Sequence, residues 1–271
     1  MATTSLIEEI LSYKKNEISL EKKTALITGA SSGIGLATSV YLAREGVNLI
    51  LVARREQQLV QLKHELAIAF PHVRVNVLAL NLAQKNITEQ LKQFDSLNVD
   101  IFINNAGLAR TRDFVPDLQE EDIDEVVDIN IKAAFKISAA VAKSMVKNGS
   151  GHIVHLGSIA AHHTYEGGSV YCATKFALRA FSQTMRQELF DKNVRVSFIS
   201  PGLVQTEFSE VRFKGDKEKA DKIYEGVDCL RAPDIARVIV KALKEPSHVN
   251  LDEIVILPTV QSPVTYKMKR G

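Results

Sequence analysis

Thr24-Ala25-Leu26-Ile27-Thr28-Gly29-Ala30-Ser31-Ser32-Gly33-Ile34-Gly35 is an apolar run of strand length that breaks into glycines. It continues as LATSVYLAREG, residues 36–46, whose apolar residues recur at helical spacing. Strand, glycine turn and helix in that order make one βα unit. The glycines permit a tight turn and close backbone approach, and the helix N-terminus offers free N–H groups to anionic oxygens. Gly29, Ser31, Ser32, Gly33, Ile34 and Gly35 are therefore expected to cradle the pyrophosphate of a dinucleotide. The spacing is G-x-x-x-G-x-G rather than G-x-G-x-x-G. A lone glycine motif is often just a turn, so the strand before it and the helix after it carry the reading.

The same alternation runs outward from this unit. LILVAR (49–54) reads as a second buried strand, and Glu56 to Phe70 as an amphipathic helix ended by Pro71. VRVNVLAL (73–80) is a third strand, and the polar segment from Lys85 to Phe94 a third helix. DIFINNAG (100–107) is a fourth strand running into a turn, followed by a long helical region from Glu120 to Lys147. GHIVHLGS (151–158) is the fifth strand, Ser169 to Phe190 a helix, and VRVSFISPG (194–202) the sixth strand. Thr206 to Gly226 is polar with helical spacing, Pro233 opens a helix to Leu243, and EIVILP (253–258) closes the series. Strict β/α alternation with apolar strands predicts α/β, a parallel, doubly wound sheet flanked by helices. No repeat, linker or low-complexity stretch divides it, so residues 23–271 read as one domain behind an extension at 1–22.

Composition narrows the function. In 271 residues, 45% are hydrophobic and 24% charged, which suits a globular chain with a sizeable core. A net charge of +2, with no basic run beyond a pair or triplet, argues against a nucleic-acid partner. No stretch approaches a membrane span. Cys172 and Cys229 form neither a metal pattern nor a disulfide framework and read as buried thiols. The first 23 residues carry Glu8, Glu9, Glu17 and Glu21 and lack a signal peptide's apolar centre. They read as a short amphipathic helix capping the domain of a cytoplasmic protein.

A second constellation lies between the fifth and sixth strands. Ser158 ends a strand, Tyr171 follows thirteen residues on, and Lys175 four after that. Tyr171 and Lys175 share one face of a helix beginning near Ser169. A free tyrosine titrates near 10, and an ammonium a few ångströms away favours phenolate, so Lys175 is expected to lower Tyr171 toward acid–base work. Ser158 is placed to hold a carbonyl or alcohol oxygen against the same phenol. S…YxxxK alone occurs by chance in many helices; its place in this fold is what gives it weight.

With the glycine loop, NNAG at 104–107, Asn130, Ser158, Tyr171, Lys175 and Pro201-Gly202 in order, the chain resembles the short-chain dehydrogenase/reductase family from about Thr24 onward. The resemblance implies a single-domain, doubly wound, Rossmann-like sheet of about seven parallel strands, a nicotinamide cofactor and a tetrad of Asn130, Ser158, Tyr171 and Lys175. In it the tyrosine exchanges the proton, the serine steadies the substrate oxygen, the lysine binds the nicotinamide ribose, and the asparagine holds a relay water. It further implies cofactor contacts from Asn105, Ala106, Gly107, Pro201, Gly202, Val204 and Thr206. An NAD site usually has a carboxylate about twenty residues past the glycines. Here Ala53 is followed by Arg54 and Arg55, and a guanidinium fork suits a 2′-phosphate, so NADP is expected. Where the family has an aspartate for the adenine amine, this chain has Asn81, then Leu82.

TYEGG at 164–168, the segment FSEVRFKGDKEKADKIY and the tail HVNLDEIVILPTVQSP are similar to a narrower subgroup. It comprises NADP-dependent 3-hydroxy acid dehydrogenases, also described as serine or L-allo-threonine dehydrogenases and malonic semialdehyde reductases. That implies a small-molecule hydroxy acid oxidised at its β-carbon, with Arg212 or Lys214 toward the carboxylate, and Leu108, Ala109 and the loop 162–168 as walls. His162 and His163 are candidates to line the pocket. Two other readings stay open: a carbonyl or 3-oxoacyl reductase of larger apolar substrates, and a non-catalytic NADP(H) sensor. Family members often form homo-oligomers, commonly tetramers, through their long crossover helices, so a tetramer is expected. No metal is.

Overall fold

The computed structural model describes residues 7–8, 17–92, 98–262 and 268–269. Strands β1 (Thr24–Thr28), β2 (Asn48–Ala53), β3 (Val75–Ala79), β4 (Ile101–Asn104), β5 (Gly151–Leu156), β6 (Val194–Pro201) and β9 (Glu253–Ile256) form one parallel sheet. Their order is β3-β2-β1-β4-β5-β6-β9, so the winding reverses between β1 and β4. In such sheets ligands lie in the crevice outside the carboxyl ends of the strands at the switch point. The parallel sheet expected from the alternation, with the seven strands the resemblance implies, is the one found.

Each central strand is apolar on both faces because each face is covered. β1 sends Ala25 and Ile27 into a core with Leu42, Leu59, Leu66, Ile239 and Leu243. Leu26 faces the opposite way, into a core with Phe102, Ile137, Val141, Met145 and Met185. The first core lies under helices α1 (Gly33–Arg44), α2 (Glu56–Ala69) and α9 (Ala232–Lys244), and the second under α5 (Ala134–Asn148) and α6 (Ser169–Leu189). Burying each such side chain contributes about 1.5–3 kcal/mol, which is why strand and helix must agree in register.

Three details depart from the sequence reading. The long helix after β4 is not uniform. Glu120–Val127 (α4) passes through a π-turn at Asp128–Ala133 before α5 begins. The segment after Thr206 is two short helices, Phe208–Arg212 (α7) and Lys217–Tyr224 (α8), not one. Lys214 and Gly215, both at positive φ (53° and 94°), make the break. A small second sheet pairs β7 (Val204–Gln205) with β8 (Leu230–Arg231) and ties the start of this segment to the N-terminus of α9. The helix expected over residues 1–22 lies largely outside the described residues. Residues 17–22 run against the main fold, with Ile18 N donating to Lys244 O at 2.9 Å and Leu20 buried.

Candidate active site

The glycine turn is built on Thr28, which is fully buried at the end of β1. Its Oγ1 accepts from Asn105 N at 3.1 Å and Ala106 N at 3.0 Å, so the first strand's end grips the turn after β4. Asn105 returns the contact, donating Nδ2 to Thr28 O at 2.9 Å and Gly29 O at 3.2 Å. Gly29 sits at φ +66°, and a Cβ there would fall 2.8 Å from Asn105 Nδ2. A Cβ on Gly35 would fall 2.3 Å from Gly29 O. These approaches admit no side chain, and they leave the first turn of α1 facing the crevice. Ser32 precedes α1 without a side-chain cap, and no acidic residue stands in that turn, so its N–H groups are open to an anion. The backbone therefore fits a pyrophosphate.

Tyr171 and Lys175 lie one turn apart on α6, as the spacing predicts. Lys175 is buried and donates Nζ to Leu156 O at 2.8 Å, standing 5.7 Å from the Tyr171 ring centre. Ser158 caps the short turn after β5, its Oγ accepting from Ala160 N at 3.1 Å, and hydrogen-bonds the Tyr171 hydroxyl. The direction of the tyrosine's shift is the reverse of the one expected. Burial pushes the Tyr171 phenol well above its ordinary value, with the Tyr165 hydroxyl adding to the rise; the Ser158 hydrogen bond and the Arg212 charge oppose it. Lys175 does not overcome this, because burial pulls its own pKa down to about 8 and its ammonium is engaged with Leu156. Behind it, His155 is pulled down to about 3, by burial first and by the Lys175 charge second, and stays neutral.

Asn130 sits in the π-turn with its amide fully engaged. Oδ1 accepts from Leu108 N at 2.9 Å, while Nδ2 donates to Leu108 O at 2.8 Å and Thr174 Oγ1 at 3.0 Å. Its side chain joins the β4 turn, the π-turn and α6, and it does not line the cleft. A Cβ on Gly107 would come within 3.3 Å of Asn130 Oδ1 and 3.5 Å of Lys175 Nζ, so this glycine lets the turn lie over both.

Most of these parts wall one cleft of about 840 Å³, with Thr28, His155 and Asn130 behind its lining. Of the residues expected at the cofactor, Gly35 and Asn81 alone do not line it. Gly35 packs behind the loop. Asn81 is exposed and turns Oδ1 to Ala83 N at 3.1 Å, while Leu80 and Leu82 present an apolar wall to the cleft. Arg54 meets Glu125 at 3.4 Å. Arg55 is held by Glu207 at 2.8 Å and by Ser31 Oγ at 3.2 Å.

On the substrate side Arg212 and Lys214 part company. Lys214 pairs with Asp122 at 2.9 Å and lies outside the cleft, because the positive φ that breaks the helix carries it away. Arg212 is buried in the cleft wall. It donates Nε to Thr111 O at 2.9 Å, Nη1 to the Tyr165 hydroxyl at 2.9 Å and Nη2 to Gly167 O at 2.8 Å. No carboxylate pairs with it among the described residues, and two of its five N–H donors remain. Leu108 lines the cleft as expected, but Ala109, His162 and His163 do not; His162 Nε2 is bonded to Ser200 Oγ at 2.9 Å, away from the cleft. Tyr165, in the loop expected as a wall, lines the cleft, as does Phe208 from the segment after Pro201; Arg112 lines it too and was not singled out in the sequence. Arg112 and Arg212 lie over the Tyr165 ring at 5.4 and 5.5 Å. The arrangement can take a dinucleotide against the glycine turn, exchange a proton at Tyr171, and hold an anion at Arg212.

Comparison with known proteins agrees with that geometry. The family model for short chain dehydrogenase matches residues 23–217. An NADP-dependent 3-hydroxy acid dehydrogenase of Schizosaccharomyces pombe is 38% identical over 257 residues, covering 93% of this chain and 98% of that protein. A serine 3-dehydrogenase of Agrobacterium fabrum is 36% identical over 247 residues, covering 91% and 98%. Among solved structures, the closed form of serine dehydrogenase complexed with NADP+ superposes with a TM-score of 0.84 at 34% identity, over 92% of this chain and all of that one.

Proposed function

This chain belongs to the short-chain dehydrogenase family, and from that premise we propose that it moves hydride between NADP(H) and a small 3-hydroxy acid oxidised at its β-carbon. The observation that carries the substrate class is Arg212, a buried guanidinium that among the described residues is bonded only to neutral oxygens, in the cleft wall beside Tyr171. A charge buried without a counter-ion is costly unless a ligand supplies one. A carboxylate on the two remaining N–H groups supplies it through charge-assisted bonds. Relatives that carry 3-hydroxy acid and serine dehydrogenase names support the same choice over a larger apolar substrate.

Arg54 and Arg55 would hold the 2′-phosphate, the open first turn of α1 the pyrophosphate, and Lys175 a ribose hydroxyl. Bound NADP+ supplies the hydride acceptor and a positive charge that favours phenolate. Ser158 holds the substrate oxygen, and Tyr171 takes the hydroxyl proton in oxidation or gives it in reduction. A phenol that burial keeps protonated is ready for the reductive role, so the oxidative direction calls for higher pH. Asn130 braces the β4 turn against α6 in either direction. A homotetramer through α5 and α6 is proposed with this reading, since Val146 and Phe176 stand exposed on those helices.

The test is absorbance at the reduced-nicotinamide band with NADP+ and L-serine, L-allo-threonine or 3-hydroxypropionate, and NAD+ as control. Growth with NADP+ and one of these acids supports the reading. Growth only with NAD+ overturns the 2′-phosphate assignment. NADPH oxidation with lipophilic ketones alone moves the substrate to the apolar class.

A further inference from the structure

Two carboxylates stand at the end of the cleft that Arg54 and Arg55 line. Glu207 holds Arg55 closely, at 2.8 Å. Glu125 reaches Arg54 only at 3.4 Å, because a different arginine grips it. Arg110 donates Nε to Glu125 Oε2 at 2.7 Å and Nη2 to Oε1 at 2.9 Å, a two-point fork on one carboxylate. Arg110 is largely shielded, its side chain 15% exposed, while that of Arg54 is 50% exposed. Neither Arg110 nor Glu125 lines the cleft. The third bond of Arg110, from Nη1 to Val211 O at 2.6 Å, anchors the fork to α7.

The charges explain the arrangement. A 2′-phosphate carries close to two negative charges, and an unpaired carboxylate a few ångströms away opposes it. The same free carboxylate would hold Arg54 tightly. With Glu125 neutralised from the far side, Arg54 is free to turn to the phosphate. We propose that Arg110 is a positioning residue which sets the preference for a 2′-phosphorylated cofactor by neutralising Glu125. The inference rests on the NADP(H) reading above and names a residue that no phosphate contact would reveal.

The test uses the full chain and ligands without nicotinamide, so that hydride chemistry does not enter. Dissociation constants for adenosine 2′,5′-bisphosphate and for 5′-AMP are measured by calorimetry. The unsubstituted chain should prefer the bisphosphate; equal binding of the two would overturn the NADP(H) reading itself. Arg110→Gln should cut that preference about tenfold or more, and adding Glu125→Gln should restore it, since the unpaired carboxylate is then gone. Preference retained in Arg110→Gln, or lost and not restored in a folded double variant, overturns the inference. If Arg110→Gln does not fold, Glu125→Gln alone decides. Preference kept or raised supports the inference, and preference lost overturns it.

Discussion

The ammonium of Lys175 stands 5.7 Å from the centre of the Tyr171 ring and is bound to the carbonyl of Leu156 rather than to the phenol. The two side chains share a helix face, yet the lysine's nearest partner is the strand end beneath it. Two consequences, one for catalysis and one for stability, can be measured separately.

Tyr171→Phe removes the only proton-exchanging hydroxyl that the proposed mechanism uses. Turnover should fall on the order of a hundredfold or more, the scale of lost acid–base catalysis. NADPH affinity should stay near the original, because the ring remains to pack against Phe208, 5.5 Å away. Steady-state rates with a fluorescence titration of NADPH separate the two effects, and unchanged turnover would remove Tyr171 from the mechanism.

Lys175→Met should change how stability depends on pH. Burial lowers the folded-state value from 10.5 to about 8. Below pH 8 the lysine is charged in folded and unfolded chains alike, and the folded chain bears the full cost of the buried charge. Between pH 8 and 10.5 the folded chain has released the proton that the unfolded chain still holds, so this group makes stability rise with pH. The whole effect is about 3 kcal/mol. Denaturant midpoints at pH 7, 8 and 9 should show a rise in the parent chain relative to Lys175→Met, and parallel profiles would contradict the assignment.

Arg212→Lys keeps a charge but loses the planar fork. KM for a hydroxy acid should rise on the order of ten- to a hundredfold, the worth of a charge-assisted hydrogen bond. KM for an uncharged alcohol of similar size should move little. An equal rise for both would show that Arg212 holds the loop at Gly167 and not the substrate.

Thr28→Val is isosteric but leaves Asn105 N and Ala106 N without their shared acceptor. Asn105 N keeps Ile103 O at 3.0 Å, so the part-buried Ala106 N is the donor left unsatisfied, at a cost of about 1 kcal/mol or more. Thr28→Ser keeps the hydroxyl and should recover most of this. Urea unfolding of the three chains checks it, and a Val variant as stable as the parent would refute the role.

Much of the molecule was legible in one dimension because its signals are local. Apolar strands of four to eight residues alternating with amphipathic helices require a sheet covered on both sides, and Ala25, Leu26 and Ile27 show both faces buried. The glycine turn was legible because Gly29 and Gly35 leave no room for a Cβ. Tyr171 and Lys175 were legible because helical spacing alone puts them on one face. The π-turn at Asp128–Ala133 was not, since helical periodicity continues through it, and without the turn the tie from Asn130 to Leu108 cannot be read.

The sequence by itself therefore determined the order of strands and helices, the glycine turn and the sharing of one helix face by Tyr171 and Lys175, all of which depend on neighbours within a few residues. Tertiary structure alone decided the electrostatics. Which arginine grips Glu125 most closely, whether a phenol rises or falls, and whether Lys214 or Arg212 faces the cleft depend on residues far apart in the chain. Glu125 meets Arg54 across 71 positions and Arg212 meets Thr111 across 101. Charge and burial act through space, so their balance exists only once the chain has closed on itself.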